Sequence, residues 1–348
     1  MGIHLTGAQW ATLRVKIALL LFGSLCGLVL AGFGAEVYHF VCRAPVLEWH
    51  DPNTVFDRLL AWRPVANRHV QHSWGTISAN AHGYRSPPLD LDRRQVVLLG
   101  DSVAWGYGVG DADTLGYILD PSLKPHGVQL SNLAVSGYGL DQYLLRLEEN
   151  LPLMSERLAG IVLIICAQND YQNTTRNSIF GKRKMLFRQR GNDLELTDWP
   201  ISRYSLRNVL SDSFLLSRAS EVSETFRNAT HLIAGDIELA EPEANQVVMS
   251  LLRKIMAVAE ERHIPIAVIL SPDREDFPSV RSRYMNFQRV LNEARIPYVD
   301  YRGVIEQRGY DVRSIYHDRL HYTPEGNRYL ANTVMERLGE LRILPHAE

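Results

Sequence analysis

Apolar residues cluster at the start of the chain, where their pattern predicts a membrane-spanning helix. Residues 17–35 include no charged side chain, and a helix of that length rises about 28 Å, close to the hydrocarbon thickness of a bilayer. Arg14 and Lys16 precede the segment, whereas Glu36 and His39 follow it. The positive-inside rule therefore predicts a cytoplasmic tail at residues 1–16, an anchor at 17–40 and all later residues outside the cytoplasm.

A cleaved signal peptide is the alternative interpretation of this segment. The small residues Gly32, Gly34 and Ala35 could form a peptidase site. The apolar core of a signal peptide is normally shorter, roughly 7–15 residues, so an uncleaved anchor is the favoured prediction. With cleavage the protein would be secreted.

From residue 95 onward, short apolar runs alternate with amphipathic segments. Strands are predicted at Gln95–Leu99, Val128–Val135, Gly160–Ala167, Ile264–Leu270 and Ile296–Asp300. Helices are predicted at Asp141–Glu149, Glu243–Arg262, Ser279–Ala294 and Pro324–Leu341. Short connections between such segments favour a parallel sheet with helices on both faces, a three-layer α/β fold over residues 95–348. Residues 41–94 show no clear periodicity and are predicted to form an amino-terminal extension.

The alternation fails at about residues 171–242, which we predict to be an insertion or lid at the carboxyl edge of the sheet. Residues 182–188 and 194–196 flank Gly191, Asn192 and Asp193, a pattern typical of a hairpin and its turn. A solvated loop without function is the alternative.

Composition excludes several classes of function. The formal charge of −2 leaves no basic excess to neutralise phosphates, so nucleic acid is not an expected partner. Three scattered cysteines predict neither a disulfide framework nor a zinc site. His317 and His321 have the spacing of metal ligands on a helix, but Pro324 indicates that the helix starts after them. The sequence therefore predicts no cofactor and no metal.

Gly100, Asp101 and Ser102 follow the first predicted strand, where open α/β sheets place their ligand crevice. Far downstream, Asp318 and His321 supply a carboxylate and an imidazole. A hydroxyl, a base and an orienting acid are the parts of an activated nucleophile. Taken alone, the tripeptide could equally be a turn.

Two other strand ends carry candidate hydrogen-bond donors. Gly137 follows the second predicted strand and Asn169 follows the third. In a parallel sheet both would lie at the same edge as Ser102. A backbone N–H and a side-chain amide at that edge are the donors an oxyanion hole needs, although ordinary turn chemistry would also explain both residues.

In these segments the chain resembles the SGNH hydrolases, also called the GDSL esterase/lipase family. The matching residues are Gly100 to Ser102, Asn132 to Gly139, Gln168 to Asp170 and Asp318 to His321. The resemblance implies the flavodoxin-like sheet of that family. One departure is that Ala167 stands where the third motif usually begins with glycine.

The resemblance implies that Ser102 is the nucleophile, His321 the general base and Asp318 the residue that orients the imidazole. It also implies an oxyanion hole made by the backbone N–H groups of Ser102 and Gly137 and the side chain of Asn169. No cofactor or metal is implied.

The expected activity is serine-dependent hydrolysis of carboxylic esters through an acyl-enzyme, in a domain facing the periplasm or exterior. Acetylated cell-surface carbohydrate is the first candidate substrate and a lipid ester the second. An O-acyltransferase that uses the same residues on exported glycan or lipid is one alternative. A non-catalytic domain that binds a glycan or a partner protein is the other.

Overall fold

The computed structural model describes residues 7–42, 53–191, 193–213, 223–277 and 282–344. The strands are β1 (Thr54–Asp57), β2 (Ala61–Pro64), β3 (His69–His72), β4 (Gly75–Ser78), β5 (Arg94–Leu99), β6 (Val128–Asn132), β7 (Leu158–Cys166), β8 (Ser178–Ile179), β9 (Lys182–Arg183), β10 (Leu186–Arg190), β11 (Asp193–Thr197), β12 (Ile266–Ser271) and β13 (Val299–Asp300). The helices are α1 (Gly7–Cys42), α2 (Ser102–Trp105), α3 (Leu115–Leu123), α4 (Leu140–Met154), α5 (Ala167–Thr175), α6 (Leu206–Asp212), α7 (Glu224–Ala234), α8 (Glu241–Glu261), α9 (Ser282–Glu293), α10 (Tyr301–Gln307), α11 (Val312–Ile315) and α12 (Pro324–Glu340).

The chain divides into two units. One comprises residues 1–46 and 206–235, within which helix α1 and the pair α6 and α7 are described. Helix α1 contains an apolar stretch, Leu13–Gly34, of mean hydropathy 2.3. By length and composition this stretch could cross a membrane, and a signal sequence would have the same character.

The second unit, residues 47–205 and 236–348, is built on a parallel sheet. Among the described residues this sheet has five strands in the order β13-β12-β7-β5-β6, all paired in parallel. Numbered along the chain this order is 2-1-3-4-5, that of flavodoxin-like sheets. Their ligand crevice lies where the order reverses, at the carboxyl ends of β5 and β7.

The two faces of the sheet bury alternate residues of each strand. Val97 and Leu99 lie in one apolar cluster together with residues of helices α4, α8 and α9. Val96 and Leu98 lie in the other with residues of α3 and α12. Because each side chain of a strand points opposite to its neighbours, the central strands are apolar throughout. The predicted three-layer fold is confirmed.

Several predicted element ends differ from the observed ones. The predicted strand over Val128–Val135 stops at Asn132, whose side chain accepts a hydrogen bond from the Ala134 N–H at 3.0 Å. The predicted strand over Ile296–Asp300 is only β13, because Pro297 has no N–H to donate and Ile296 donates instead to Leu291 at the end of α9.

In place of the one hairpin predicted within residues 171–242, the structure has two separate hairpins. Strand β10 pairs with β11 up to Arg190 opposite Asp193, as expected for the predicted hairpin, whereas β9 pairs with β8 in a separate hairpin. Residues 53–78, predicted to lack periodicity, form two hairpins, β1–β2 and β3–β4.

Candidate active site

Ser102 stands at the first position of helix α2, three residues after strand β5 ends. The turn requires glycine at position 100, since a Cβ there would lie 2.4 Å from the Ala104 Cβ and 3.0 Å from the Ile164 carbonyl oxygen. Asp101 caps the helix by accepting a hydrogen bond from the Val103 N–H at 2.8 Å. These constraints hold the Ser102 hydroxyl at the carboxyl edge of the sheet.

His321 reaches Ser102 from the segment that precedes helix α12. Its Nε2 lies 2.9 Å from the Ser102 Oγ, and its Nδ1 lies 2.7 Å from the Asp318 Oδ2. A carboxylate can only accept, so Nδ1 carries the proton and Nε2 is free to accept the hydroxyl proton of Ser102. An isolated antiparallel β-bridge between Tyr316 and Tyr322 joins the two ends of this segment. The Tyr322 hydroxyl lies 2.6 Å from the Ser271 Oγ at the end of β12.

Asp318 is held in its ionised form. Partial burial would raise the pKa of its carboxyl group, but hydrogen bonds from the His321 imidazole and from the backbone N–H groups of His321 and Leu320 lower it to about 2. Asp318 therefore presents a negative charge to Nδ1 at any pH where the enzyme would be assayed, which favours an imidazolium formed during reaction.

Asn169 is linked to Ser102 through the Asp101 carboxylate, which both side chains contact. The Asn169 Nδ2 donates to the Asp101 Oδ2 at 3.1 Å, and the same oxygen lies 3.5 Å from the Ser102 Oγ. Asp101 is fully buried, and burial raises the pKa of its carboxyl group. One amide hydrogen of Asn169 is used to orient the side chain, and the second has no acceptor among the described residues.

The residue after Asn169 fixes the start of helix α5. The Asp170 Oδ1 accepts from the Tyr143 hydroxyl at 2.8 Å, and its Oδ2 accepts from the Cys166 N–H at 3.0 Å. Burial raises the pKa of Asp170 well above its usual value. Because the carboxyl group is pinned from two sides, the neighbouring Asn169 is held by a rigid support.

Gly137 lies in the loop after β6. A hydrogen bond of 3.2 Å from the Val135 N–H to the Gly100 carbonyl oxygen joins this loop to the end of β5. Its φ of +79° favours glycine, and a Cβ would lie 2.3 Å from the Phe180 ring. Phe180 belongs to the β8–β9 turn, is 59% exposed and packs against Trp62 with ring centroids 6.4 Å apart. The backbone N–H groups of Ser102 and Gly137 have no acceptor among the described residues.

Side chains from the loop after α2 and from a distant segment complete the surroundings of His321. The Tyr107 ring lies 4.5 Å from the imidazole, and the Tyr107 carbonyl oxygen lies 3.3 Å from the His317 Nε2. Buried Arg85 donates to the carbonyl oxygens on either side of this tyrosine, in residues Gly106 and Val109. These contacts arise from packing between distant segments, which periodicity does not reveal.

His317, Asp318 and His321 also bring possible metal-ligating atoms within 4.8 Å of one another. The Asp318 Oδ2 and His321 Nδ1 are already joined by a hydrogen bond, and the His321 Nε2 contacts Ser102. A metal bound at Nδ1 would have to displace the Asp318 hydrogen bond that orients the imidazole. The arrangement therefore fits proton transfer better than metal binding.

The structure thus brings four predicted site residues into one hydrogen-bonded group. Ser102, His321 and Asp318 are joined directly, and Asn169 is joined to them through Asp101. Gly137 belongs to a loop tied to the same strand end, without a direct bond to the group.

Comparison with known proteins identifies the family. The sequence profile described as GDSL-like lipase/acylhydrolase matches residues 96–334. Among solved structures, the lipase/acylhydrolase from Enterococcus faecalis is 16% identical with a TM-score of 0.39, over 73% of this chain and 100% of that one. The esterase EstA from Pseudoalteromonas sp. is 10% identical with a TM-score of 0.38, over 71% and 97%. An acetyl xylan esterase, AlAXEase, is 12% identical with a TM-score of 0.37, over 70% and 99%.

The sequence matches no curated protein. The matched family region contains every motif of the candidate site, from Gly100 to His321, and it spans more than half of the chain. The chain belongs to the GDSL-like lipase/acylhydrolase family.

Proposed function

We propose that Ser102 is the nucleophile of this enzyme and carries the acyl group of a carboxylic ester during hydrolysis. Membership of the family makes the protein a serine ester hydrolase. The observation that carries the residue assignment is the continuous hydrogen-bonded line from the Ser102 Oγ through the His321 imidazole to the Asp318 carboxylate, with distances of 2.9 and 2.7 Å. That line is the arrangement that activates a weak hydroxyl nucleophile.

In the first half of the reaction the Ser102 Oγ attacks the ester carbonyl carbon while its proton passes to the His321 Nε2. The carbonyl oxygen becomes negatively charged and receives hydrogen bonds from the Ser102 and Gly137 N–H groups and the Asn169 amide. Asp318 stabilises the imidazolium through Nδ1. The imidazolium then returns its proton to the departing alcohol oxygen as the carbon–oxygen bond breaks, which leaves an ester on Ser102.

In the second half of the reaction water replaces the alcohol. The neutral His321 takes a proton from water, the resulting hydroxide equivalent attacks the acyl carbon, and the same donors stabilise the oxyanion. When the bond to the Ser102 Oγ breaks, the imidazolium reprotonates that oxygen and the free acid leaves. No group outside this set is needed to balance the protons.

The apolar helix α1 supports an anchored or exported enzyme, with its catalytic residues outside the cytoplasm. Esters available there include acylated carbohydrates and lipids of the cell surface. We place acetylated carbohydrate first, because Ser102 is only 4% exposed and a small acyl group reaches a recessed hydroxyl most easily. Lipid ester is the second candidate.

The test uses the full chain in detergent micelles with p-nitrophenyl acetate and a fluorescent phosphonate that labels activated serines. Ser102→Ala is expected to abolish labelling and to lower kcat by about 10⁶-fold, as removal of a triad serine does. The matched control is Ser86→Ala, a serine that is also buried and lies outside the segments that carry the assigned residues. Retained labelling in Ser102→Ala, or its loss in Ser86→Ala alone, would contradict the assignment.

A further inference from the structure

The chemistry proposed for Ser102 fixes on which side of the serine each part of the ester must lie. The carbonyl oxygen must face the donors at Asn169 and Gly137, because the negative charge develops there. The alcohol oxygen must face the His321 Nε2, because that nitrogen returns the proton to it. Side chains beside His321 therefore contact the alcohol part of the substrate.

Tyr107 is the aromatic side chain on the His321 side. Its ring is tilted by 40° to the imidazole at a centroid distance of 4.5 Å, yet it is 41% exposed. A single exposed aromatic ring is common on protein surfaces and does not by itself indicate a site. This ring differs because it stands directly beside the base of the reaction with much of its area open to solvent.

The Tyr107 ring is held by contacts on several sides. Trp74 lies 5.8 Å from it and is itself stacked at 4.7 Å by His72. The backbone N–H of Tyr107 donates to the Ser102 carbonyl oxygen at 2.9 Å, and the Tyr107 carbonyl oxygen contacts the His317 imidazole. A ring fixed in this way binds a ligand with little loss of side-chain entropy.

Apart from Trp74, the side chains named here around this ring are polar. The imidazoles of His72 and His317 are partly exposed, and the Asp318 side chain is 43% exposed. A long alkyl alcohol would need a continuous apolar strip, which this rim does not offer. A sugar ring presents C–H groups on one face and hydroxyl groups around its edge, so it suits an aromatic ring with a polar rim.

We propose that Tyr107, supported by Trp74, binds the alcohol part of the ester as a sugar ring. This inference rests on the proposed function of Ser102 and adds to it the residues that bind the sugar of the leaving alcohol. The ring face would pack on Tyr107 while hydroxyl groups hydrogen-bond to the imidazole of His317.

The experiment compares two acetate esters that share an acyl group and differ in the alcohol, acetylated methyl glucopyranoside and ethyl acetate. Kinetics are measured on the full chain in detergent. Tyr107→Ala is expected to lower the ratio of kcat/KM for the glycoside to kcat/KM for ethyl acetate by about tenfold, which is about 1.4 kcal/mol of lost packing. The loss should appear mainly in KM, and Tyr107→Phe should restore most of the ratio.

The matched control is Tyr310→Ala, which removes a ring that stacks on Tyr329 instead, and the ratio should not change. Equal losses on both esters would mean that Tyr107 only supports His321, and this would overturn the proposal. An unchanged ratio would also overturn it. If Tyr107→Ala instead lowered kcat/KM for a third ester, octyl acetate, and not for the glycoside, the alcohol would be a lipid alcohol and the sugar would be refuted. If the unmodified enzyme hydrolyses none of the esters and Ser102 takes no phosphonate label, the proposed function itself fails.

Discussion

Arg85 provides the sharpest test of how the site is supported. Its guanidinium group is 1% exposed and donates to the carbonyl oxygens of Gly106 and Val109, both at 2.7 Å, and of Trp105 at 3.2 Å. The Nε contacts the Asp111 carboxylate at 3.3 Å, and the group lies 4.4 Å from the Trp105 ring. One buried cation therefore holds the loop that follows helix α2.

The expected cost of Arg85→Met follows from these contacts. Each buried carbonyl left without a donor costs about 1–3 kcal/mol, while removal of a buried charge recovers part of its desolvation penalty. The net loss for a buried charge network is about 3–5 kcal/mol. In a domain of this size that lowers the melting temperature by about 6–20 °C, at roughly 2–4 °C per kcal/mol. The loss in stability for Arg85→Lys should lie between zero and that for Arg85→Met, because an ammonium group cannot reach all of these acceptors.

Thermal unfolding in detergent, followed by near-ultraviolet circular dichroism, measures the shift. The matched control is Arg188→Met, which breaks an exposed pair with Glu243 and should cost about 0–1 kcal/mol. Below the melting temperature, Arg85→Met should also lower kcat/KM, because the released loop carries Tyr107. A melting temperature within about 2 °C of the unmodified protein would refute the reasoning from Arg85 burial.

Three further outcomes are expected. Asn169→Ala should lower kcat by about 10²–10³-fold with little change in melting temperature. A loss in kcat of less than tenfold would show that the Asn169 amide is not part of the oxyanion hole. Because hydrogen bonds outweigh burial and hold the Asp318 pKa at about 2, below the usual 3.8, its carboxylate stabilises the fold above pH 3.8 and loses that effect as pH falls towards 2. The difference in melting temperature between the unmodified protein and Asp318→Asn should shrink over that range, and a constant difference would contradict the argument. Lys184→Met should cost about 3–5 kcal/mol in urea unfolding, because it leaves the fully buried Asp141 carboxylate unpaired, whereas the double variant with Asp141→Leu should recover most of the loss.

The sequence predicted the central strands of the sheet well because their burial is complete. Strand β5, with Val96, Val97, Leu98 and Leu99, is apolar on both faces, which distinguishes it from its surroundings without knowledge of its neighbours. The edge strand β13 was predicted too long. An apolar run extends through Ile296, but Pro297 prevents ladder pairing there, and only the pairing partner decides where an edge strand begins.

The hairpins of residues 53–78 could not be predicted from periodicity. Strands of four residues such as β1 and β3 are too short for a pattern to rise above chance, and their burial does not alternate cleanly. The separate hairpin β8–β9 was missed for the same reason, and with it the position of Phe180.

Within the site, the sequence indicated the residues whose place depends on a strand end. Ser102, Gly137 and Asn169 each follow a strand of a parallel sheet, so chain order alone predicts a shared edge. Their roles as nucleophile and oxyanion donors remain predictions. A side chain that reaches the site from another segment, such as Arg85, depends on packing over a long sequence separation, which local patterns do not encode.

The order of the site residues in the chain controls when activity can begin. Ser102 follows the first strand of the sheet, whereas His321 follows its last strand, β13. With His321 as the proposed base, the Ser102 hydroxyl is not activated until all five strands have paired and the segment between Tyr316 and Tyr322 has docked. On that proposal a chain still being synthesised or exported is inert towards esters, and loss of the chain after β13 would remove the base while leaving the serine intact.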